Sequence, residues 1–352
     1  MKKYLCILCL AMIASCNKQN NSALRRQLDS VTVNLPTNIL QNAKVINDAK
    51  QILAFNKDVE HIWIISDTLC VANRPAASFS VYDLRDTAIR RDILKYGDRD
   101  SCFLSSIVSI SNGYFVIYDY VKNLIFTIPI SKLKDPGSVP QERHWEVSTQ
   151  QASLYGGDTL IGINPNCFDN EKLGIHKDAN RFIFSDKVKS SKQLKSKINT
   201  YNAVHGSFIC KKDKDRLAYF DLDAPLAEFY DYACRPIKVV KGLADYPFSY
   251  EIVVRNKKKE ACLSDYLPYA YTRICYNDSY IYALFCGKSF ADNKDYSKAE
   301  RYVVKYDWNG NLVSAFRINA PVQDISCSEK NDLIYYSVKE NGMLKVYKYE
   351  LH

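Results

Sequence analysis

A stretch near the C-terminus reads Tyr302-Val303-Val304-Lys305-Tyr306-Asp307-Trp308-Asn309-Gly310-Asn311-Leu312-Val313. Aromatic and β-branched residues alternate on both sides of the Asn309-Gly310 pair, as they do in strands with one buried face. Asn-Gly between two such runs is a strong hairpin signal, because a type I′ turn needs positive φ at both central positions. The stretch therefore predicts a β-hairpin with a type I′ turn.

A polar turn followed by an alternating strand recurs six times along the chain. Two clear copies read Ser66-Asp67-Thr68-Leu69-Cys70-Val71 and Asn277-Asp278-Ser279-Tyr280-Ile281-Tyr282. Consecutive copies are 45 to 63 residues apart, and the residues that mark them are Asp67, Gly113, Asp158, Asp215, Asp278 and Asp332. Units of this length, each with several short strands, are typical of propeller blades.

The repeats predict an all-β chain in which residues 28–352 form a six-bladed β-propeller with four-stranded antiparallel blades. Because the ring must close, part of residues 28–65 is expected to pair with the sixth unit. The third unit, at about 150–200, is the least regular and is expected to carry an insertion with a short Lys-rich helix. The alternative is a pair of β-sandwiches, or another mixed β-rich fold, in which the six signals arise by chance.

The N-terminus is typical of a bacterial lipoprotein signal. Lys2 and Lys3 precede a short apolar run at 4–12, which is too short to span a bilayer. The run ends in the lipobox-like sequence Ile13-Ala14-Ser15-Cys16. The prediction is a signal peptide over 1–15 and a lipidated tether over 16–27, with acyl chains such as palmitate on Cys16 as a stable anchor. An ordinary secretory signal is the alternative.

Composition excludes several classes of protein. The chain has 352 residues with 47% hydrophobic residues, and its 26 Tyr and 15 Phe suit strands better than helices. The formal net charge of +9 is modest and spread along the chain, with its densest runs at 187–197 and 257–259. Because no aromatic residues interleave with those lysines, they are interpreted as solvated loops, and no nucleic-acid partner is expected.

Nine cysteines remain after Cys6, Cys9 and Cys16 are set aside. Their number is odd, they contain no CxxC pair, and no Cys/His group has zinc-site spacing. Most are interpreted as small core residues, with one or two disulfides open in an oxidising compartment. The nine are Cys70, Cys102, Cys167, Cys210, Cys234, Cys262, Cys275, Cys286 and Cys327.

No local motif predicts catalysis. The sequence has no nucleophile elbow, no zincin motif, no P-loop and no dinucleotide fingerprint. Its histidines, interpreted as surface or cross-strand residues, are His61, His144, His176, His205 and the terminal His352. No catalytic residue, metal ligand or cofactor is predicted.

Two local clusters allow a binding role as well as an ordinary structural one. Asn164-Pro165-Asn166 with Asp169, Asn170 and Glu171 offers oxygen ligands for a cation such as Ca²⁺, but turn chemistry explains the same residues. Tyr266-Leu267-Pro268-Tyr269-Ala270-Tyr271 is interpreted as packing between blades, with stacking on a sugar ring as the alternative.

The chain resembles the TolB-like six-bladed β-propeller lipoproteins of Bacteroidota. The resemblance covers about residues 45–351 and rests on the lipobox, the repeat length and the Tyr306–Asn311 hairpin. Such proteins often carry a Gly-rich motif after the first unit, of which Gly97 remains here. In relatives of this kind, the absence of acidic residues just after Cys16 implies an anchor in the outer membrane with the protein facing the periplasm.

The expected function is that of a binding or scaffolding module, without catalysis, for an envelope protein or a small ligand. Its membrane contact would be the lipid on Cys16. Two alternatives stay open: a propeller-type hydrolase or lyase with a metal in the central channel, and a carbohydrate-binding accessory of a glycan-uptake system.

Overall fold

The structure is a computed structural model that describes most of the chain from residue 30 to residue 351. The residues outside the description are 1–29, 37, 56–58, 75–76, 86–88, 98–101, 104–106, 112, 145–151, 157–158, 164–170, 177–180, 185–204, 212–214, 232–234, 245–249, 256–257, 264–266, 290–298, 329–331 and 352. Between 152 and 184 only the backbone is described. The predicted signal peptide, the tether and the third-unit helix therefore lie outside the described residues.

The regular elements of the described residues are strands, apart from one short 3-10 helix. Three strands precede the first repeat: β1 (Thr32–Asn34), β2 (Lys44–Val45) and β3 (Lys50–Phe55). The first repeat contains β4 (His61–Ser66), β5 (Leu69–Arg74), β6 (Ser78–Asp83), β7 (Ile89–Tyr96) and β8 (Cys102–Phe103). The second contains β9 (Ile107–Ser111), β10 (Tyr114–Asp119), β11 (Leu124–Pro129), the 3-10 helix Ile130–Lys132 and β12 (Gln141–His144).

The remaining repeats follow the same order. They contain β13 (Ala152–Gly156), β14 (Thr159–Ile163), β15 (Glu171–His176) and β16 (Arg181–Phe184), then β17 (Gly206–Cys210), β18 (Arg216–Asp221), β19 (Leu226–Asp231) and β20 (Pro236–Lys241). A separate hairpin of β21 (Tyr250–Arg255) and β22 (Lys258–Leu263) comes next. The last strands are β23 (Pro268–Tyr276), β24 (Tyr280–Ser289), β25 (Arg301–Asp307), β26 (Leu312–Ile318), β27 (Val322–Cys327), β28 (Leu333–Glu340) and β29 (Met343–Glu350).

These strands form a β-propeller with four-stranded antiparallel blades. Side-chain packing is described for five blades and not for the six that were predicted: β4–β7, β9–β12, β17–β20, β23–β26, and β27–β29 with β3. The sheet β13–β16 is also four-stranded and antiparallel, and β13 contacts both β9 and β17, but its side chains lie outside the description.

The hydrophobic cores lie between neighbouring blades. Phe220 and Phe229 of one blade pack against Tyr271 and Tyr306 of the next, with ring centroids 5.2 to 5.8 Å apart. Leu53 and Phe55 pack in the same way toward Ile62 and Ile64 across another boundary. Blade-to-blade packing of this kind excludes the sandwich alternative and confirms that the aromatic residues fill blade interfaces.

The recurring turn joins the first and second strands of a blade. The copies within the described residues lie between an innermost strand and the next one, as at β4–β5, β9–β10, β23–β24 and β27–β28. The turn of the third copy, at Asp158, lies outside the described residues. The recurring turn motif in the sequence therefore corresponds to a structural unit, the turn between the first two strands of a blade.

The N-terminal segment closes the ring as predicted and also contacts two further blades. β3 pairs antiparallel with β29, which completes the last blade. In addition, β1 pairs parallel with β20 and β2 pairs parallel with β26, which the sequence analysis did not predict. Residues 32–55 thus follow the outer edges of three consecutive blades and cover strand edges that would otherwise be open to pairing.

The hairpin at 302–313 is confirmed, but its predicted type I′ turn is wrong. Gly310 has φ +78°, whereas Asn309 is not among the described non-glycine residues with positive φ. The Gly310 N–H donates to the Asp307 carbonyl (3.0 Å), and the ladder shifts register at Tyr306. This is a type I turn followed by a bulge with a left-handed glycine. The type I′ geometry occurs instead at Asn341 (φ 51°) and Gly342 (φ 77°), between β28 and β29.

Cys70, Cys102, Cys262, Cys275, Cys286 and Cys327 form no disulfide bond in the structure. Cys70, Cys210 and Cys286 are buried, as core residues should be, and burial raises the pKa of the Cys70 thiol. Cys102, Cys262, Cys275 and Cys327 are half-buried, whereas Cys167 and Cys234 lie outside the description. No helix within the described ranges is long and apolar enough to cross a bilayer.

Candidate functional site

A cavity of about 480 Å³ lies on the central axis of the ring. Residues of the innermost strands β4, β9, β17, β23 and β27 line it. The volume falls within the range of small-molecule sites, which are mostly apolar with a few placed polar groups. The cavity is therefore the strongest candidate site among the described residues.

Apolar and polar side chains contribute about equally to the wall. Trp63 contributes the largest aromatic surface, and its ring lies 5.9 Å from both Phe79 and Phe115, so it is fixed between two blades. The other apolar lining residues are Ile64, Ile65, Val108, Ile110, Ile130, Phe208, Ile209, Ile274 and Ile325.

The main polar group is the buried carboxylate of Asp324, on which three blades meet. His61 Nδ1 lies 3.1 and 3.2 Å from its two oxygens, and Arg273 Nε donates to Oδ1 at 2.9 Å. The backbone N–H of Ile62 and the hydroxyl of Ser337 also donate to Oδ2, each at 3.4 Å. Asp324 therefore connects β4, β23 and its own blade through side chains, where the inner strands share no ladder.

Asp324 is ionised at neutral pH. Burial alone would raise its pKa, but the His61 hydrogen bond and the charge of Arg273 outweigh that effect and hold the pKa below its ordinary value. An ionised carboxylate only accepts hydrogen bonds, so His61 Nδ1 must carry a proton to lie this close. We therefore assign the Nδ1–H form, which leaves Nε2 without a hydrogen-bond partner among the described residues.

Arg273 keeps part of its hydrogen-bonding capacity. Besides the bond to Asp324, its NH1 donates to the Thr272 carbonyl at 2.9 Å. NH2 lies 3.4 Å from His61 Nδ1, but a protonated nitrogen cannot accept its hydrogens. The side chain is 42% exposed, so the free N–H groups are accessible next to the cavity.

Tyr276 closes part of the other end of the cavity. Its hydroxyl donates to the Ile110 carbonyl at 2.8 Å, which links β23 to β9, two inner strands that are not neighbours in the ring. The Tyr276 ring packs edge-on against Trp308, with centroids 5.3 Å apart. Trp308 Nε1 in turn donates to the Asn277 carbonyl at 3.0 Å. The closing side chain is thus fixed by an aromatic contact and by a hydrogen bond.

Two residues of the wall carry polar atoms that the protein leaves unsatisfied. Asn73 Oδ1 and Ser109 Oγ are buried and make no hydrogen bond with the described residues. Buried polar atoms without a partner are rare in folded proteins. Both residues line the cavity.

The residues singled out in the sequence do not form this site. Cys16 and the 164–170 cluster lie outside the described residues, and of Glu171 only the backbone is described. Part of the Tyr-rich segment forms β23, and Tyr271 is buried with its hydroxyl 2.9 Å from that of Tyr306. For Tyr271 the packing interpretation is therefore confirmed and the sugar-stacking alternative is wrong. No group of three or more His, Cys, Asp or Glu within the described ranges could hold a metal.

The interpretation of His61 as a surface or cross-strand residue missed its role. His61 and Asp324 are 263 residues apart, so no local motif joins them. The repeat could have located them, since His61, Arg273 and Asp324 lie 6, 5 and 8 residues before the markers Asp67, Asp278 and Asp332. His205 is also paired, with its Nδ1 3.2 Å from Asp223 Oδ2, whereas His144 is exposed on β12.

Similarity to known proteins is found at the level of the fold. No protein-family model matches the sequence, and no curated protein matches it. A member of the DUF4221 family from Bacteroides vulgatus has a similar structure, with a TM-score of 0.55 and 10% identity over 88% of this chain and 99% of that one. A putative exported protein from Bacteroides fragilis gives a TM-score of 0.51 and 9% identity over 92% and 99% of the two chains.

A third similar structure is the β-propeller domain of Cps50 (Swd1) from Myceliophteria thermophila. It has a TM-score of 0.42 and 11% identity over 85% of this chain and 99% of that one. The two Bacteroides structures support the β-propeller architecture described above.

Proposed function

We propose that this protein is a binding module that takes a small ligand into the central cavity of its propeller. The observation that carries the proposal is the cavity itself, in which apolar side chains lie beside a hydrogen-bonded cluster of Asp324, His61 and Arg273. Apolar surface together with convergent polar groups is the usual composition of a ligand site.

We also propose that the module works in the cell envelope. The lipobox ending at Cys16 supports a lipid anchor, and one structure of similar fold is described as an exported protein. The anchor would hold the propeller at the outer membrane, facing the periplasm, where it meets a small ligand or an envelope protein.

The ring itself is proposed to have six blades of the TolB-like type. The position of β13 between β9 and β17, together with the four antiparallel strands β13–β16, supports a sixth blade at this point of the ring. The six sequence repeats support the same number.

The test is ligand binding with the cavity open and with the cavity filled. Ser109→Phe places a ring in the cavity wall, while Val139→Phe adds one at a position that is 79% exposed. Thermal stabilisation and calorimetry would follow binding of a panel of organic acids, amines, amides and neutral oligosaccharides such as maltotriose. We expect at least one probe to bind the unaltered chain and Val139→Phe but not Ser109→Phe.

Equal binding to Ser109→Phe and to the unaltered chain would overturn the cavity as the site. If maltotriose alone bound, and did so regardless of Ser109→Phe, the carbohydrate-accessory alternative would replace the proposal. If no probe bound and one envelope protein co-purified in near-equal amount, the scaffolding alternative would replace it.

A further inference from the structure

We propose that the cavity takes an organic acid, with its carboxylate on Arg273 and its apolar body against Trp63. This inference rests on the proposed function, because it names the ligand class of the same cavity. The observations that carry it are the accessible N–H groups of Arg273 and the apolar side chains of the same cavity.

The polar end offers donors and a charge. Asp324 is already satisfied by four donors from the protein, so its negative charge is shielded from a ligand. Arg273 has N–H groups left over, and a guanidinium matches the two oxygens of a carboxylate. His61 Nδ1–H is already used in the bond to Asp324, so Arg273 supplies the free donors at this end.

The charges around this end are few. Asp324 and Arg273 neutralise one another, so an arriving anion meets no net negative charge from the pair. Glu60 precedes His61 and also lines the cavity, but it is exposed to solvent, which screens its charge. Asp278 also lines the cavity. It follows the end of β23 and is separated from Arg273 by the last residues of that strand and by Asn277.

The apolar part of the cavity defines the rest of the ligand. Beyond Arg273 the wall continues through Ile274 on β23 and Ile325 on β27, with Trp63 on β4 and Phe208 on β17. Tyr276, held to the Ile110 carbonyl, lies at the end of β23. A compact hydrophilic acid would leave these walls empty, whereas an acid with an aryl or alkyl body would bury them.

The experiment uses three molecules of nearly equal shape and different charge. These are 4-phenylbutyrate, the neutral 4-phenylbutyramide and the cationic 4-phenylbutylamine, with octanoate as an acid with an alkyl body. Calorimetry on the full mature chain at neutral pH would give each dissociation constant. We expect the butyrate to bind about 10 to 100 times more tightly than the amide, and the amine to bind more weakly than either.

Variants separate recognition of the anion from stability of the site. Arg273→Gln keeps a polar side chain but removes the charge, and it should remove the preference for acid over amide. Arg235→Gln is the matched control, since Arg235 pairs with Asp231 outside the cavity and its side chain is 71% exposed. The control should leave the preference unchanged. If Arg273 had only a structural role, Arg273→Gln would lower the melting temperature without altering the ratio of the affinities for the acid and the amide.

The possible failures are distinguishable. Binding that Ser109→Phe abolishes, but that is equal for acid, amide and amine or strongest for the amine, would overturn the organic-acid inference and leave the proposed cavity site standing. If Ser109→Phe changed the binding of none of the probes, the proposed function would be overturned as well. If octanoate binds more tightly than 4-phenylbutyrate, the natural acid has an alkyl body, and the reverse order indicates an aryl body.

Discussion

At the scale of single residues, the repeat markers Asp67 and Asp332 and the cavity residue Asp324 have a related role: each connects its blade to a neighbouring blade. Asp332 accepts hydrogen bonds from Tyr282 (2.8 Å) and Lys305 (2.9 Å) of the preceding blade, and Asp67 accepts one from Tyr335 in the same sense. Asp324 likewise joins its blade to His61 of the following one. Acidic side chains thus connect neighbouring blades near the inner strands, where no backbone ladder crosses between sheets.

We expect Asp324→Asn to destabilise the protein by about 1–3 kcal/mol at pH 7, because it removes the charge from a buried, multiply hydrogen-bonded carboxylate. The folded pKa of Asp324 lies below the ordinary value of 3.8, so folding favours the ionised form. That stabilisation is complete above about pH 4 and is lost as the pH falls through the lower folded pKa. Urea unfolding of both chains at pH 7 and pH 3 measures the effect.

The matched control is Asp231→Asn, which breaks the pair with Arg235 at the surface. Surface pairs contribute about 0–1 kcal/mol, so the control should change stability little at either pH. A loss in Asp324→Asn that is as large at pH 3 as at pH 7 would contradict the assigned ionisation.

The pairing of His61 with Asp324 shows what residue-level sequence analysis misses. Each of the two lies in an ordinary strand, and their contact depends on the closing of the ring, which brings the first and last repeats together. The histidine was visible in the sequence, but its partner was not. Only a position count relative to the repeat markers carries that information, and it becomes useful once the propeller is assumed.

At the scale of elements, the hairpins show where turn chemistry is predictable. The Asp307–Asn311 segment was correctly identified as a turn, but the carboxylate of Asp307 accepts the N–H groups of Asn309 (2.9 Å) and Asn311 (2.8 Å). This side chain favours the longer turn over the two-residue type I′ form. Glu340 precedes Asn341-Gly342, but its carboxylate accepts a hydrogen bond from Lys345 (2.6 Å), and this turn takes the type I′ geometry.

We expect Gly310→Ala to cost more stability than Gly113→Ala, although both glycines have φ +78°. A left-handed backbone costs an alanine about 1–2 kcal/mol at either position. At Gly310 the added Cβ would also lie 2.6 Å from Cδ2 of the buried Phe229, whereas at Gly113 nothing lies within 4 Å. Overpacking typically adds about 1–3 kcal/mol.

The two melting curves, recorded by circular dichroism, measure the difference directly. Because the backbone angle is matched, only the contact with Phe229 separates the variants. Equal losses of stability would show that the hairpin end moves away from its neighbouring blade at no cost.

At the scale of the whole molecule, the sequence was informative about repetition and closure. The spacing of the six markers predicted the propeller, and the need to close a ring predicted that an early strand would complete the last blade, as β3 does. The parallel strands β1 and β2 were not predictable, because strands of three and two residues carry no alternation. The central cavity depends on all inner strands together, which no single segment encodes.

We expect removal of β3 to be far more damaging than removal of β1 and β2. A mature chain that begins at Ala49 lacks the two parallel strands but keeps Leu53 and Phe55, which are buried against the first blade. A chain that begins at Glu60 loses both side chains, each contributing about 1.5–3 kcal/mol, together with the ladder to β29.

Thermal unfolding and limited proteolysis of the two truncated chains would test this prediction. The chain from Ala49 should unfold cooperatively at a somewhat lower temperature, and the chain from Glu60 should be digested rapidly. Identical behaviour of both would mean that the ring does not depend on closure by β3.

The route of residues 32–55 along the rim has a mechanical consequence. Tension applied to the N-terminus reaches β1 first, where Leu35 N–H donates to the Lys241 carbonyl at 2.7 Å, and then β2, where Ile46 N–H donates to the Arg317 carbonyl at 2.9 Å. The closing strand β3 is pulled only after both have detached. The two short parallel strands are thus loaded one after the other. Both must detach before a force on the N-terminus reaches β3 and can open the ring.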